Sequence, residues 1–118
     1  MIYIGTDIVQ ISRIHKIIND KGQHFLSHIF TKYEQRICNK KVSSHIHYSG
    51  KYAAKEAVKK VLLNLNDGEN IALNSIEIKN KENGAPIVAL SGKTSGNLQV
   101  SISHTGDYAT ATAILEVK

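Results

Sequence analysis

The chain has 118 residues, enough for one domain with a modest hydrophobic core. It is 42% hydrophobic and 21% charged, with one proline and no tryptophan, which is typical of a globular protein. The formal net charge of +5 favours acidic partners such as nucleic acid, anionic lipid, phosphorylated ligands or acidic proteins. We expect a single domain over residues 1–118.

The cysteine count and the N-terminal sequence bear on the compartment. Cys38 is the only cysteine, which excludes an intrachain disulfide and fits a reducing compartment. The apolar start, residues 1–7, lacks the basic region and the cleavage site of a signal peptide. No apolar run approaches the roughly 18 residues of a membrane-spanning helix. We therefore expect a soluble, cytoplasmic protein without a membrane partner.

Alternating isoleucines at the N-terminus predict a strand. Ile2, Ile4 and Ile8 would form its buried face, and Asp7 would lie on the opposite face, at the end of the strand. A helical pattern follows over residues 11–18, with Ser12 as a possible cap.

A short apolar segment and two further helices are predicted between residues 24 and 65. A short apolar segment covers residues 24–30, and Thr31 and Glu34 form a capping-box pattern that starts a helix running to about Asn39. A long central helix is predicted over residues 44–65 and would end before Gly68. Its expected buried positions are Ile46, Gly50, Ala53, Ala54, Ala57, Val58, Val61, Leu62 and Leu65.

The last third of the chain favours strands. Residues 76–79 and 85–90 are predicted to form a hairpin, and two more strands are predicted over residues 98–104 and 109–117. Residues 91–97 fit a short helix or a loop. The predicted fold is α+β, with the long central helix packed on a mostly antiparallel sheet.

The central helix carries an unusual row of lysines. Lys51, Lys55 and Lys59 follow one another at i,i+4 spacing, where like charges destabilise a helix. A bound anion such as a phosphate ester would offset that repulsion. Glu56 is the only acid in the segment, and the alternative is a solvated face with a Glu56–Lys60 pair.

Two carboxylates from separate elements suit Mg²⁺, which takes one or two protein carboxylates together with water and phosphate oxygens. Asp7, which follows Gly5 and Thr6, and Glu56 are the candidates. The alternative for Asp7 is a cap of the following helix.

A third polar group lies near the C-terminus. Alternation would bury Ile102 and place Ser101, Ser103 and Thr105 on the other face, with His104 at the strand end. Hydroxyls and an imidazole there can bind phosphate or carry a proton. The alternative is the ordinary polar face of an antiparallel sheet.

Taken together, these segments resemble the holo-acyl-carrier-protein synthase family, the small phosphopantetheinyl transferases. The family's motifs occur in order and at matching spacing over residues 1–116. They are G-x-D at residues 5–7, F-T-x-x-E at 30–34, R-[FY]-A-A-K-E-A at 51–57, N-G-x-P at 83–86 and S-[IL]-[ST]-H-[TS] at 101–105.

The resemblance implies an α+β fold and transfer of phosphopantetheine from coenzyme A to a serine of apo-acyl carrier protein, in support of fatty acid biosynthesis. It also implies catalysis by Asp7, Glu56 and Lys55, magnesium held by Asp7 and Glu56, and a homotrimer with active sites between subunits. A metal-bound water or a metal-site carboxylate would accept the serine proton.

The resemblance also assigns the two binding surfaces. Arg13 would contact the acidic carrier protein. Lys51 stands in place of the family's usual arginine, and Gln10 stands where the family often has an acid. The implied coenzyme A contacts are Lys51, Lys55, Lys60, Asn83, Gly84, Pro86, Ser103, His104 and Thr105.

Two other functions compete with this one. The net charge alone would fit a non-catalytic module that binds nucleic acid, although the chain lacks interleaved aromatic and basic residues. A degenerate family member that binds without turnover is the other alternative. The intact Asp7, Lys55, Glu56 and His104 argue against it, and we expect no nucleic-acid partner.

Overall fold

The computed structural model describes residues 1–65, 71–90, 93–94 and 97–118. The helices are α1 (Ile11–Lys21), α2 (Gln23–Ile29), α3 (Lys32–Asn39) and α4 (Ser44–Leu65), followed by a 3₁₀ turn at Leu73–Ser75. The strands are β1 (Ile2–Gln10), β2 (Ile76–Asn80), β3 (Pro86–Leu90), β4 (Lys93–Thr94), β5 (Leu98–His104) and β6 (Tyr108–Glu116).

The described strands form two antiparallel sheets of three, in the orders β1-β6-β5 and β2-β3-β4. Helix α4 packs across the first sheet and also contacts β2. The α+β fold is confirmed. The main core includes Ala53, Ala54, Ala57, Val58, Val61, Ile76, Ile78, Val88, Leu98, Ala111 and Ala113.

Strand β1 presents the opposite face to the core from the one predicted. Ile2, Ile4 and Ile8 are exposed, whereas Gly5 is buried against α4. A Cβ atom on Gly5 would lie 2.1 Å from the Ala57 carbonyl oxygen, so only glycine allows this approach of strand and helix. The isoleucine face was therefore wrongly predicted to be the buried one.

Asp7 also lies in the middle of β1 rather than at its end, because the strand continues to Gln10 and Asp7 pairs with Ala111. It therefore shares the helix-facing side of the sheet. Helix α1 starts after Gln10 without a side-chain cap, so neither Asp7 nor Ser12 caps it.

The predicted bounds of α3 and α4 agree with the structure. Thr31 and Glu34 form the complete capping box that starts α3. The predicted stop at Gly68 lies outside the described residues. A helix or a loop was expected over residues 91–97, but Lys93–Thr94 form a strand that pairs with β3, so the expectation is wrong there. Residues 91–92 and 95–96 lie outside the described part of the chain. Among the described helices, none is long and apolar enough to cross a membrane.

Candidate active site

The two predicted metal-binding carboxylates lie on neighbouring elements, Asp7 on β1 and Glu56 on α4, which pack against each other. Asp7 Oδ2 is buried and has no hydrogen-bond partner, whereas Oδ1 accepts a hydrogen bond from Lys60 Nζ at 3.2 Å. Lys60 lies one helical turn after Glu56, so both side chains project from the same side of α4. Lys60 thus pairs with Asp7 and not with Glu56, and it also donates to the Thr6 carbonyl at 2.8 Å.

Tyr52 connects the two carboxylates electrostatically. Burial raises the pKa of its hydroxyl, and the negative charges of Glu56 and Asp7 raise it further. The cation of Arg13 on α1 opposes this shift, which places Arg13 near the same site. The direct contact is the Lys60–Asp7 pair, and the charges of Glu56, Asp7 and Arg13 all reach the Tyr52 hydroxyl.

A cleft of about 470 Å³ opens on the other side of α4. Its walls are the start of α4, the end of β5 and the turn between β2 and β3. Basic groups dominate the lining, and among the described residues Glu82 is the one acid there. The basic lining residues are Lys41, His47, Lys51, Lys81 and His104.

Charge crowding in this cleft affects His47. Burial lowers the pKa of His47, and the charges of Lys41, His104 and Lys51 lower it further. The lysines and histidines of the lining outnumber Glu82, so the cleft has a surplus of positive charge. A phosphate group is the kind of ligand that would neutralise this surplus.

The turn between β2 and β3 contributes the predicted N-G-x-P residues. Gly84 has φ = 89°, a left-handed conformation that favours glycine, and it lines the cleft. The Asn83 side chain accepts a hydrogen bond from the Ala85 amide at 3.0 Å, and Pro86 begins β3. The structure thus places Gly84 and His104 around one cleft, with Asn83 and Pro86 on either side of Gly84.

The C-terminal polar residues are divided between two faces. His104 lines the cleft on the helix side of the sheet. Ser103 is exposed on the opposite face, where it pairs with Thr110, so one chain does not bring Ser103 and His104 together. The Thr105 hydroxyl accepts hydrogen bonds from the Asp107 and Tyr108 amides and so stabilises the turn after β5.

The lysines of α4 were predicted to form one row facing a bound anion, and their observed environments differ from that prediction. Lys55 is fully buried: Nζ forms an ion pair with Glu34 and donates to the Ile29 and Leu73 carbonyls at 2.7 and 3.2 Å. Burial lowers the pKa of Lys55, against the effect of the nearby Glu34 carboxylate. With three acceptors for its three donors, Lys55 is placed to hold the core together and not to contact phosphate.

The other two lysines of the row are separated from Lys55 and from each other. Lys51 is 6% exposed, at the floor of the cleft, and donates to the Ile78 carbonyl and to Asn80 Oδ1 at 2.9 and 3.0 Å. Lys59 lines a second groove, beside Glu56 and Tyr52. The row is thus not one solvent-facing stripe.

The sequence profile described as the 4'-phosphopantetheinyl transferase superfamily matches residues 3–113 of this chain. The chain belongs to the 4'-phosphopantetheinyl transferase superfamily. Within that superfamily, a holo-[acyl-carrier-protein] synthase from Protochlamydia amoebophila is 41% identical over 116 residues, covering 94% of each chain. One from Caldanaerobacter subterraneus is 40% identical and covers 96% of this chain and 93% of the relative.

Solved structures agree with this membership. A Bacillus anthracis holo-(acyl-carrier-protein) synthase in complex with CoA (3',5'-ADP) superimposes with a TM-score of 0.80 at 29% identity, covering 98% of this chain and 96% of that one. A Helicobacter pylori holo-[acyl-carrier-protein] synthase in complex with coenzyme A gives a TM-score of 0.78 at 30% identity, covering 96% and 99%. The transferase fold therefore extends over nearly the whole chain.

Sequence reasoning missed two residues of the candidate site and the buried partner of Lys55. Glu34 is fully buried beside Lys55, His47 lines the basic cleft, and Tyr52 lines the groove that also contains Glu56. The capping-box motif gave a signal for Glu34, because it fixed the carboxylate at the start of α3. The spacing of His47 and Lys51, one helical turn apart, was the available signal for the cleft.

Proposed function

We propose that this protein transfers phosphopantetheine from coenzyme A to a serine of apo-acyl carrier protein, releasing adenosine 3',5'-bisphosphate. The observation that carries the proposal is the buried, unpartnered Asp7 Oδ2 on the side of α4 that bears Glu56, with a basic cleft farther along the same helix. A metal-bound pyrophosphate suits the carboxylates, and a separate phosphate group suits the basic cleft.

The carboxylates fit a magnesium ion. A buried carboxylate oxygen without a hydrogen-bond donor is costly unless a cation joins it, and Asp7 Oδ2 is such an atom. Asp7 and Glu56 would hold the ion, and the described residues contain no cluster of three or more acidic, histidine or cysteine ligands. Two carboxylates are the number that Mg²⁺ takes when phosphate oxygens and water complete its shell. The bound ion would neutralise charge that develops on the pyrophosphate.

The chain's own residues supply the remaining binding and orientation. Lys60 holds Asp7 Oδ1 and leaves Oδ2 for the cation, and its exposed ammonium is available to a phosphate oxygen. His104, Lys41 and Lys81 line the cleft where a terminal phosphate would bind. Phosphoryl transfer depends mainly on positioning and charge neutralisation, which is what these groups provide.

The acidic carrier protein would dock on α1. Arg13, Lys16 and Lys21 are exposed on this helix, and Asp20 is its only acid. The positive charge of Arg13 also lowers the pKa of Tyr52, against the effects of burial and of the Glu56 and Asp7 charges. Complementary charge at such a surface mainly accelerates association and fixes the register of the partner.

We also propose that the protein acts in the cytoplasm as a homotrimer with active sites between subunits. The outer face of the β1-β6-β5 sheet supports the assembly, because it exposes Ile2, Ile4, Ile8 and Ile114 by 45 to 64%. A patch of exposed isoleucines on one sheet face favours burial against another copy. Ser103 lies on this same face and would face a neighbouring subunit.

A mass-shift experiment tests the transfer. Purified protein, coenzyme A, Mg²⁺ and apo-acyl carrier protein should give carrier protein heavier by one phosphopantetheine group. Excess chelator should abolish the gain, and added Mg²⁺ should restore it. A folded enzyme that leaves the carrier protein unmodified in the presence of Mg²⁺ would contradict the proposal.

A further inference from the structure

Lys51 is the least exposed of the basic residues that line the cleft. Its side chain is 6% exposed, and burial lowers its pKa, against the effect of the Cys38, Glu34 and Glu77 charges. The ammonium donates to the Ile78 carbonyl at 2.9 Å and to Asn80 Oδ1 at 3.0 Å. Two of its three donors are therefore committed to strand β2.

Asn80 carries this contact onward to the turn. Its side-chain amide donates from Nδ2 to the Gly84 carbonyl at 3.1 Å, while Oδ1 faces Lys51. The turn itself is closed by Lys81 and Gly84, whose backbone amides donate to the Ala85 and Lys81 carbonyls at 2.8 and 2.9 Å. A continuous chain of hydrogen bonds thus joins α4 to the wall of the cleft that contains Gly84.

We propose that Lys51 is a positioning residue that fixes the 80–86 turn through Asn80 and thereby sets the affinity for the nucleotide end of coenzyme A. The inference rests on the proposed function and assigns Lys51 a different role from the direct phosphate contact expected from sequence. Residues 81–84 are exposed, so their position relative to His104 depends on this attachment to α4.

The geometry favours positioning over direct contact. A lysine that binds phosphate needs an ammonium that the ligand can reach, and the exposed Lys41 and Lys81, which also line the cleft, meet this requirement. Lys51 instead lies below them with two protein acceptors at hydrogen-bond distance. Hydrogen bonds to a charged group are among the stronger ones, so this buried contact can hold a surface turn in place.

Kinetics with two substrates separate these roles. We would measure KM and kcat for coenzyme A and for 3'-dephospho-coenzyme A in wild type, Lys51→Met, Asn80→Ala, the double variant and Lys51→Arg. If Lys51 positions the turn, Lys51→Met should raise KM about tenfold for both substrates, with kcat changed much less. Asn80→Ala should raise both KM values as well.

The double variant and the arginine variant sharpen the test. Because both residues act on one turn, the KM of the double variant should be no more than about twofold higher than that of Lys51→Met. If the two contacts were independent, the two increases in KM would multiply. Lys51→Arg should recover most of the affinity, since a guanidinium can donate to both acceptors. Lys32→Met, which removes an exposed lysine from α3, is the matched control and should leave both KM values unchanged.

Two results would overturn the proposal. One is a Lys51→Met effect confined to coenzyme A with its 3'-phosphate, which would mark Lys51 as a direct phosphate ligand. The other is multiplicative effects in the double variant. If Lys51→Met does not fold, Asn80→Ala decides alone: unchanged KM values for both substrates would reject the positioning role. Absence of transfer by the wild type would instead reject the proposed function.

Discussion

The single most informative atom of the site is Asp7 Oδ2. It is buried without a partner, while its sister oxygen is held by Lys60. The ligand preference of Mg²⁺ and the family resemblance indicated Asp7 and Glu56 as a pair, but neither can show that a carboxylate oxygen lacks a donor. That property depends on how closely β1 approaches α4 at Gly5.

Removing the charge of either carboxylate should weaken Mg²⁺ binding while the protein still folds. Asp7→Asn and Glu56→Gln keep side-chain size but remove a charge, and each should lower kcat/KM on the order of 100-fold or more, because a bound metal contributes several kcal/mol to such a transition state. Calorimetry in the presence of coenzyme A should show weaker Mg²⁺ binding. Asp20→Asn, an exposed acid on α1, is the control. Unchanged Mg²⁺ affinity in both variants would remove these residues from the metal site.

His47 should make stability depend on pH. Burial and the charges of Lys41, His104 and Lys51 lower its pKa from 6.5 in the folded state. In the unfolded chain it titrates at the ordinary value, so as pH falls through about 6.5 the unfolded state binds more protons and the folded state loses stability.

The corresponding measurement is denaturant unfolding at about pH 7.5 and about pH 5.5. The His47→Gln variant should lose less stability between the two values than the wild type, because glutamine does not titrate. Equal losses in the two proteins would show that His47 is not responsible.

At the scale of elements, the sequence predicts helices and strands well and their orientation less well. Thr31 and Glu34 locate the start of α3 because a capping box satisfies particular backbone groups. The isoleucine alternation of β1 fixes the period but not which face is buried. The buried face is determined by Gly5, because the absence of a side chain there allows the α4 backbone to pack against the strand.

The lysines of α4 show the same limit. Their i,i+4 spacing is visible in the sequence, but the burial of Lys55 depends on α2, α3 and the Leu73–Ser75 turn meeting around it. Glu34 completes that meeting: Oε2 accepts from the Ile78 amide at 2.7 Å, and Oε1 accepts from the Thr31 amide at 2.9 Å. One buried ion pair thus joins five separate parts of the chain.

We expect this pair to be important for stability. Lys55→Met leaves the Glu34 carboxylate buried and unpaired and should cost about 3 kcal/mol of unfolding free energy, measured by denaturant titration at one protein concentration. Lys79→Met breaks the exposed pair with Glu77 and, as the matched control, should cost less than about 1 kcal/mol.

The double variant Glu34→Leu/Lys55→Met separates the charge effect from the hydrogen-bond effect. Removing both charges should recover part of the loss, but the Ile29 and Leu73 carbonyls and the Thr31 and Ile78 amides would remain without their partners. We therefore expect the double variant to stay less stable than the wild type. A double variant as stable as the wild type would show that these backbone groups find other partners.

At the scale of the whole molecule, the sheet face opposite α4 is the main unexplained surface of a single chain. Ile4 pairs with Ile114 in the β1–β6 register, and Ile2 and Ile8 lie on the same exposed face. The sequence predicted a homotrimer only through family resemblance, and it placed these isoleucines in the wrong environment. If other copies of the chain cover this face, the trimer and the exposed isoleucines have the same explanation.

The assembly can be tested by placing a charge on that face. Ile4→Glu puts a carboxylate in the middle of the isoleucine patch, where burial between subunits would leave it unpaired and so cost several kcal/mol. Light scattering should show the wild type at three times the mass of one chain and the variant as a smaller species. Because the proposed active sites lie between subunits, the variant should also lose transfer activity. Val42→Glu, a substitution at a fully exposed position before α4, is the matched control and should keep the wild-type mass. A wild type of one-chain mass with full activity would contradict the trimer and leave the isoleucine face to another partner.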